Sequence, residues 1–173
     1  NQLAPGASVT FTVSVVALTL DEGEPEQDPY VNTVTVTAAD DEGTVATDDD
    51  TATINVDNAT PLITIVKDVD ADNNGTFADS ETVVEGDQTV NYQFTVTADA
   101  NNASTDTLTV SEIADAQLNA AGVSNADLLA AFVAANGGSN QLAPGASVTF
   151  TVSGVALTLD EGEPEQYPYV NTV

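Results

Sequence analysis

Thr89–Thr97 reads TVNYQFTVT. Val90, Tyr92, Phe94 and Val96 occupy every second position, with polar residues between them. Alternation of period two belongs to a strand with one buried face and one solvated face. Downstream, Ala146–Leu159 (ASVTFTVSGVALTL) carries the same pattern, and Asp106–Ile113 (DTLTVSEI) is a further strand candidate. Upstream, Pro61 opens Leu62–Val66 (LITIV), a strand rich in β-branched residues. Val31–Thr37 and Thr44–Val56 flank Asp40-Asp41-Glu42-Gly43, a turn signal, so they read as a hairpin ending in TATINV (Thr51–Val56). Short strands separated by turn residues predict an all-β, Ig-like antiparallel β-sandwich. The Thr residues that alternate with Val would line its solvated faces.

One short helix is expected within this framework. Ser124-Asn125-Ala126-Asp127 resembles a capping box with an acid in the first turn. Leu128, Leu129, Phe132 and Val133 form an apolar stripe, and Gly137-Gly138 ends it. Its expected role is to plug one end of the sandwich.

Residues 1–34 and 140–173 are nearly the same sequence, differing only at Val15/Gly154 and Asp28/Tyr167. The offset, 140 − 1 = 139 residues, is the size of a domain rather than of a solenoid turn. Ala7–Leu20 accordingly repeats the strand pattern of Ala146–Leu159. The chain reads as a window on a tandem array. Residues 1–56 are the C-terminal part of one unit, 57–60 (Asp57-Asn58-Ala59-Thr60) a linker, and 61–173 the N-terminal part of the next. The two differing positions read as neutral drift between units.

Composition narrows the function. The chain has 28 acidic residues and one basic residue, for a formal net charge of −27. Phosphate contacts need Lys and Arg, so nucleic acid is excluded as a partner, and an anionic membrane surface is equally unsuited. A hydrophobic content of 42 % argues against the disorder that acid-rich chains often show. The self-repulsion of this charge still opposes compaction and calls for salt or bound cations. No stretch approaches the roughly 20 apolar residues of a membrane span, so no membrane insertion is expected. His, Cys, Met and Trp are all absent. Disulfides and thiolate or imidazole metal sites are therefore excluded, leaving oxygen donors suited to hard cations. The same absences remove the common nucleophile–base pairs, and the chain is expected not to be an enzyme.

One loop carries chemistry. Asp70–Glu81 reads DADNNGTFADSE and matches D-x-[DN]-x-[DN]-G-x5-E, the loop pattern of a Ca²⁺ site. Asp70, Asp72 and Asn74 would supply side-chain oxygens at positions 1, 3 and 5, and Gly75 the sharp turn. Thr76 would offer its carbonyl, Ala78 would act through a water, and Glu81 would be bidentate. Strands rather than helices flank the loop. Asp48, Asp49, Asp50 and Asp57 form a second, weaker candidate near the unit boundary.

Lys67 is the only Lys or Arg in the chain. It reads as a salt-bridge partner of Asp68 or another neighbour; a resemblance to surface sandwich domains would instead imply an isopeptide bond to a late-strand Asn, aided by a buried acid. Asn171, the counterpart of Asn32, lies in the same unit; the counterpart of Asn55 is the other option. Asn58-Ala59-Thr60, Asn74-Gly75-Thr76 and Asn102-Ala103-Ser104 match the N-glycosylation sequon.

The order of these features resembles the Ig-like conserved tandem repeat of large bacterial and archaeal cell-surface proteins. The resemblance rests on ITIVKDVD (Ile63–Asp70), EGDQTVNYQFTVTA (Glu85–Ala98), LAPGASVTFTV (Leu142–Val152) and the closing hairpin Tyr30–Val56. It implies an extracellular, cell-surface location, tandem arrays and structural or adhesive work. The expected role is a repeat of a Ca²⁺-stiffened filament, stalk or giant adhesin, whose partners are adjacent units or identical chains. An adhesive or glycan-binding module with a surface ligand is one alternative. A filament subunit joined by strand complementation is another.

Overall fold

The computed structural model describes residues 2–14 and 16–160. The chain divides into two compact units, Asn1–Asn58 and Ala59–Val173, and the division falls within the Asp57–Thr60 stretch.

In the first unit, β1 (Tyr30–Ala39) and β2 (Val45–Ile54) form an antiparallel hairpin, with Tyr30 opposite Ile54 and Ala39 opposite Val45. Asp40 closes the turn: its carboxylate accepts from the Thr44 N–H at 2.6 Å, and its N–H donates to the Thr44 carbonyl at 3.1 Å. Gly43 takes φ 87°, a conformation that favours glycine. Strand alternation puts Tyr30, Asn32, Val34, Val36 and Ala38 in one row, and Val31 with three threonines in the other.

In the second unit, β3 (Ile63–Asp70) and β4 (Gly86–Ala98) lead to β5 (Leu108–Thr109), α1 (Ala116–Ala120), α2 (Asn125–Ala135), β6 (Gln141–Leu142) and β7 (Ser147–Leu159). β3, β4 and β7 make an antiparallel sheet in the order β3-β4-β7, and β5 pairs with β6. The period-two reading of β4 holds, since Val90, Tyr92, Phe94, Val96 and Ala98 are buried and the residues between them are partly exposed. On the outer face, the Thr95 and Thr149 hydroxyls lie 3.0 Å apart and those of Thr97 and Ser147 2.8 Å apart, a polar cross-strand ladder. On the inner face, Phe94 stacks on Phe150 with centroids 5.0 Å apart, and Phe132 of α2 meets Phe150 edge-on at 6.2 Å. Leu118 of α1, Leu128 of α2 and Leu142 of β6 join this core.

Several expectations need correction. Two short helices are present among the described residues, not one. α1 is five residues long and is capped by Asp115, whose Oδ1 accepts the Leu118 N–H at 2.9 Å. α2 has the expected capping box, in which Ser124 Oγ accepts the Asp127 N–H and Asp127 Oδ2 accepts the Ser124 N–H. The Asp127 carboxylate accepts from the Ser124 hydroxyl at 2.7 Å and from the Ser124 N–H at 3.0 Å, and these two bonds, the hydroxyl's first, hold the exposed carboxyl below its ordinary pKa. Of the Asp106–Ile113 candidate, only Leu108–Thr109 pairs as a strand.

The two copies of the repeated segment have different fates. Ala146–Leu159 supplies β7, in which Val148 and Phe150 are 8 % and 5 % exposed. In Ala7–Leu20 no strand forms among the described residues, and Val9 and Phe11 are 71 % and 81 % exposed. The difference is the partner. β4 pairs with the backbone groups of β7 and α2 packs on its apolar row through Phe132, and among the described residues of the first unit nothing pairs with Ala7–Leu20.

Gly154 is not a drifting position. The β4–β7 register runs from Val90↔Val155 to Tyr92↔Val152, so β7 carries an extra residue there. Gly154 sits in this bulge at φ 75°, and its N–H donates to Asn91 Oδ1 at 3.1 Å. Gly154→Val, which would recreate the residue of the first copy, is expected to cost roughly 1–3 kcal/mol through backbone strain alone. Urea unfolding of the variant against wild type measures it.

Candidate metal centre

β3 delivers Asp70 to the start of the loop, where its residue is 3 % exposed. Val69, one residue earlier, forms an antiparallel bridge to Ala78: its N–H donates to the Ala78 carbonyl at 2.7 Å and its carbonyl accepts from the Ala78 N–H at 3.0 Å. This bridge closes the base of the loop. Asn73 and Gly75 take φ 58° and 85°, and these two left-handed residues turn the chain back on itself.

The loop's backbone N–H groups point inward. Asp70 accepts from Asn74 N–H at 3.0 Å and Gly75 N–H at 3.3 Å, and Asp72 accepts from Asn74 N–H at 3.1 Å. Asn74 Oδ1 accepts from Thr76 N–H at 2.7 Å. Glu81 Oε2 reaches back across the loop to the N–H groups of Ala71 and Asp72, at 2.6 and 3.2 Å. Side-chain oxygens that accept from backbone N–H groups two to five positions on hold the loop in one shape. Asn91 on β4 ties the loop to the sheet, donating to Asp70 Oδ2 at 3.3 Å and Asn73 Oδ1 at 2.9 Å.

The outcome is convergence. One carboxylate oxygen each from Asp70, Asp72 and Glu81 lies within 4.8 Å of the others. Three formal negative charges at that separation repel unless a cation intervenes. The chain's single Lys is committed elsewhere, so no side-chain cation of this chain neutralises them. Carboxylate oxygens are donors of the kind that hard cations take. Of the other residues expected in the site, Asn74 also donates Nδ2–H to Asp72 Oδ2 at 2.9 Å, Thr76 follows it in the turn, and Ala78 has its carbonyl engaged by Val69. The weaker candidates do not gather in the same way. β2 alternation puts Asp48 and Asp50 on one face, opposite Val36 and Val34, and Asp49 on the other, and Asp57 follows the strand.

A second charged feature lies in the core. Lys67 Nζ is 2.6 Å from Asp115 Oδ2, with side chains 8 % and 0 % exposed. The ammonium also lies 4.5 Å from the centroid of Tyr92 and 5.6 Å from that of Phe94. Burial pushes the Lys67 pKa below its ordinary value, against the hydrogen bond and charge of Asp115, which act to raise it. The expected pairing with Asp68 is therefore corrected. Lys67 faces Phe94 on the inner row, and Asp68, its strand neighbour, points to the opposite face. Asp115 was missed because it is one acid among 28 and lies 48 residues away. Asn171, the other expected partner of Lys67, lies outside the described residues.

The sequon at Asn102 is committed to structure. Asn102 is 6 % exposed, its Oδ1 accepts the Leu62 N–H and its Nδ2–H donates to the Leu62 carbonyl. Among the described residues, no helix is long and apolar enough to cross a membrane. Comparison of the chain with family models, curated proteins and solved structures gives no match.

Proposed function

We propose that this chain is a non-enzymatic structural repeat of an extracellular surface filament, stalk or giant adhesin. Each unit is an Ig-like sandwich, and Ca²⁺ bound at Asp70–Glu81 stiffens one end of it. The observation that carries this reading is the convergence of Asp70, Asp72 and Glu81 in a loop pre-shaped by its own backbone N–H groups. The near-identity of residues 1–34 and 140–173 supports the array. The ion would neutralise carboxylates that otherwise repel, in a chain of net charge −27. It would also lock the end of β3 to β4 through Asp70 and Asn91.

A ligand that binds only the folded state stabilises it by about 2.7 kcal/mol when present at about 100 times its Kd. Ca²⁺ is therefore expected to raise the melting temperature, and EDTA to lower it by the same amount. Glu81→Gln is expected to weaken Ca²⁺ binding more than any other single change in the loop, because it removes the bidentate charge. Calorimetric titration of wild type and variant measures both effects. Melting and scattering profiles unchanged by EDTA would sink the reading.

A second reading, a filament subunit joined by strand complementation, has one observation in its favour. Ile63 and Ile65 share the inner row of β3 with Lys67 and Val69, yet they are 51 % and 37 % exposed. The apolar row of β1 is exposed as well, Val34 to 63 % and Val36 to 60 %. A hairpin from a neighbouring chain would cover such a row. Denatured filament running as a ladder near one unit means subunits, and one very large chain means a covalent array.

A further inference from the structure

Two Asn–Gly pairs occur in the chain, Asn74-Gly75 and Asn136-Gly137. A glycine has no side chain to shield its backbone nitrogen, so that nitrogen can attack the carboxamide of the asparagine before it. Packing hinders neither pair, since a Cβ built on Gly75 or Gly137 would meet no atom within 4 Å. Their polar surroundings differ. The Gly75 N–H, the nucleophile of the first pair, donates to Asp70 Oδ2 at 3.3 Å. Asn74 Oδ1, where negative charge would collect, accepts from the Thr76 N–H at 2.7 Å. Asn74 Nδ2, the leaving nitrogen, donates to Asp72 Oδ2 at 2.9 Å. A base on the nucleophile and a donor on the developing oxyanion are the two aids that acyl transfer draws on. The base is held in place, since Asp70 is 3 % exposed and accepts from Asn91. Asn74 and Gly75 themselves are exposed to water. At the second pair, Asn136 Nδ2 donates to the Ser139 and Gln141 carbonyls at 2.9 and 2.8 Å. Among the described residues no carboxylate accepts from the Gly137 N–H.

We propose that Asn74 is a site of self-promoted deamidation, driven by Asp70 and the Thr76 N–H of its own loop. The Gly75 nitrogen gives its proton to Asp70 and bonds to the Asn74 Cγ. The bond from Cγ to Nδ2 breaks, and the departing nitrogen takes up the proton that Gly75 lost and leaves as ammonia. The cyclic succinimide that remains adds a water and opens to aspartate or to isoaspartate. Water is the only co-reactant, and nothing is oxidised or reduced. Either product sets a further carboxylate beside Asp72, where the carboxylates of Asp70, Asp72 and Glu81 already converge. Aspartate leaves the main chain as it was. Isoaspartate lengthens it by a methylene inside the turn that Asn73 and Gly75 make. The step needs no cation in the loop, so it stands apart from the function proposed above.

Ageing of the intact 173-residue chain at neutral pH tests it, with EDTA present so that no divalent cation occupies the loop. Peptide mass mapping and isoaspartyl methyltransferase labelling follow both Asn–Gly pairs in the same sample. In the folded chain Asn74 is expected to convert at least about tenfold faster than Asn136, at the low end of what a positioned base contributes. In the chain unfolded by urea that advantage is expected to vanish. Asp70→Asn keeps a side-chain oxygen for the Gly75 N–H but cannot take its proton, and is expected to slow Asn74 toward the rate of Asn136. Asn74 converting no faster than Asn136 in the folded chain would overturn the proposal. An advantage that persists in urea would overturn it too, since the loop would then play no part. The wild-type comparison decides the matter even where Asp70→Asn does not fold.

Discussion

Asp115→Ala is expected to destabilise the second unit by about 3–5 kcal/mol, the range for removing one partner of a buried ion pair. The pair is buried on both sides, with Lys67 and Asp115 side chains 8 % and 0 % exposed. Without Asp115, the Lys67 ammonium keeps only the faces of Tyr92 and Phe94, and cation–π contacts offset roughly 0.5–2 kcal/mol at best. The substitution also removes the N-cap of α1, since Asp115 Oδ1 accepts the Leu118 N–H; that loss is typically about 1 kcal/mol. Leu118 is 1 % exposed, so fraying of α1 opens the core. The double variant Lys67→Met/Asp115→Leu is expected to recover most of the loss, because an apolar pair of similar volume carries no desolvation cost. Urea unfolding of the four proteins in this cycle isolates the coupling between the two side chains. A loss below about 1 kcal/mol in Asp115→Ala would mean that Lys67 reaches water, and the buried-pair description would be wrong.

What could be read from the sequence is what is local. The hairpin was legible because Asp40–Gly43 supplies both a turn carboxylate and a glycine at φ 87°. β4 was legible because its buried positions alternate without interruption. The carboxylates of Asp70, Asp72 and Glu81 were legible as a group because they lie within one 12-residue window, which the Val69–Ala78 bridge and the turn at Asn73 and Gly75 fold back on itself. Three features resisted for a shared reason. α1 is a single turn or so, held by an aspartate indistinguishable from its many neighbours in sequence. The Lys67–Asp115 pair spans 48 residues, and nothing local ties the two together. The bulge at Gly154 depends on the register of a strand more than 60 residues away, so a Val-to-Gly difference looked neutral until β4 lay beside it. Asp48–Asp50 shows the converse error. Adjacency in sequence suggested a cluster, and strand alternation divides it between two faces.

Phe150→Ala and Phe11→Ala form a matched pair, because the two residues lie in the same local sequence, SVTFTVS, at an offset of 139. Phe150→Ala is expected to cost about 3–5 kcal/mol, as truncation of a core phenylalanine does. Phe150 is 5 % exposed, stacks on Phe94 at 5.0 Å and receives Phe132 edge-on at 6.2 Å. The cavity would thus lie where the sheet meets α2, and two aromatic contacts, each worth roughly 0.5–1.5 kcal/mol beyond area, would be lost together. Amide exchange in α2 should accelerate along with global unfolding, since Phe132 is its deepest anchor with Leu128. Phe11→Ala is expected to change stability by less than about 0.5 kcal/mol, the range for exposed sites. Phe11 is 81 % exposed and lies in a segment that forms no strand among the described residues. Intrinsic propensity is the same at both sites, so a difference between the variants measures what β4 and α2 supply. Equal losses would show that the first copy has found a partner of its own, and unequal ones that an identical segment is folded by its neighbours.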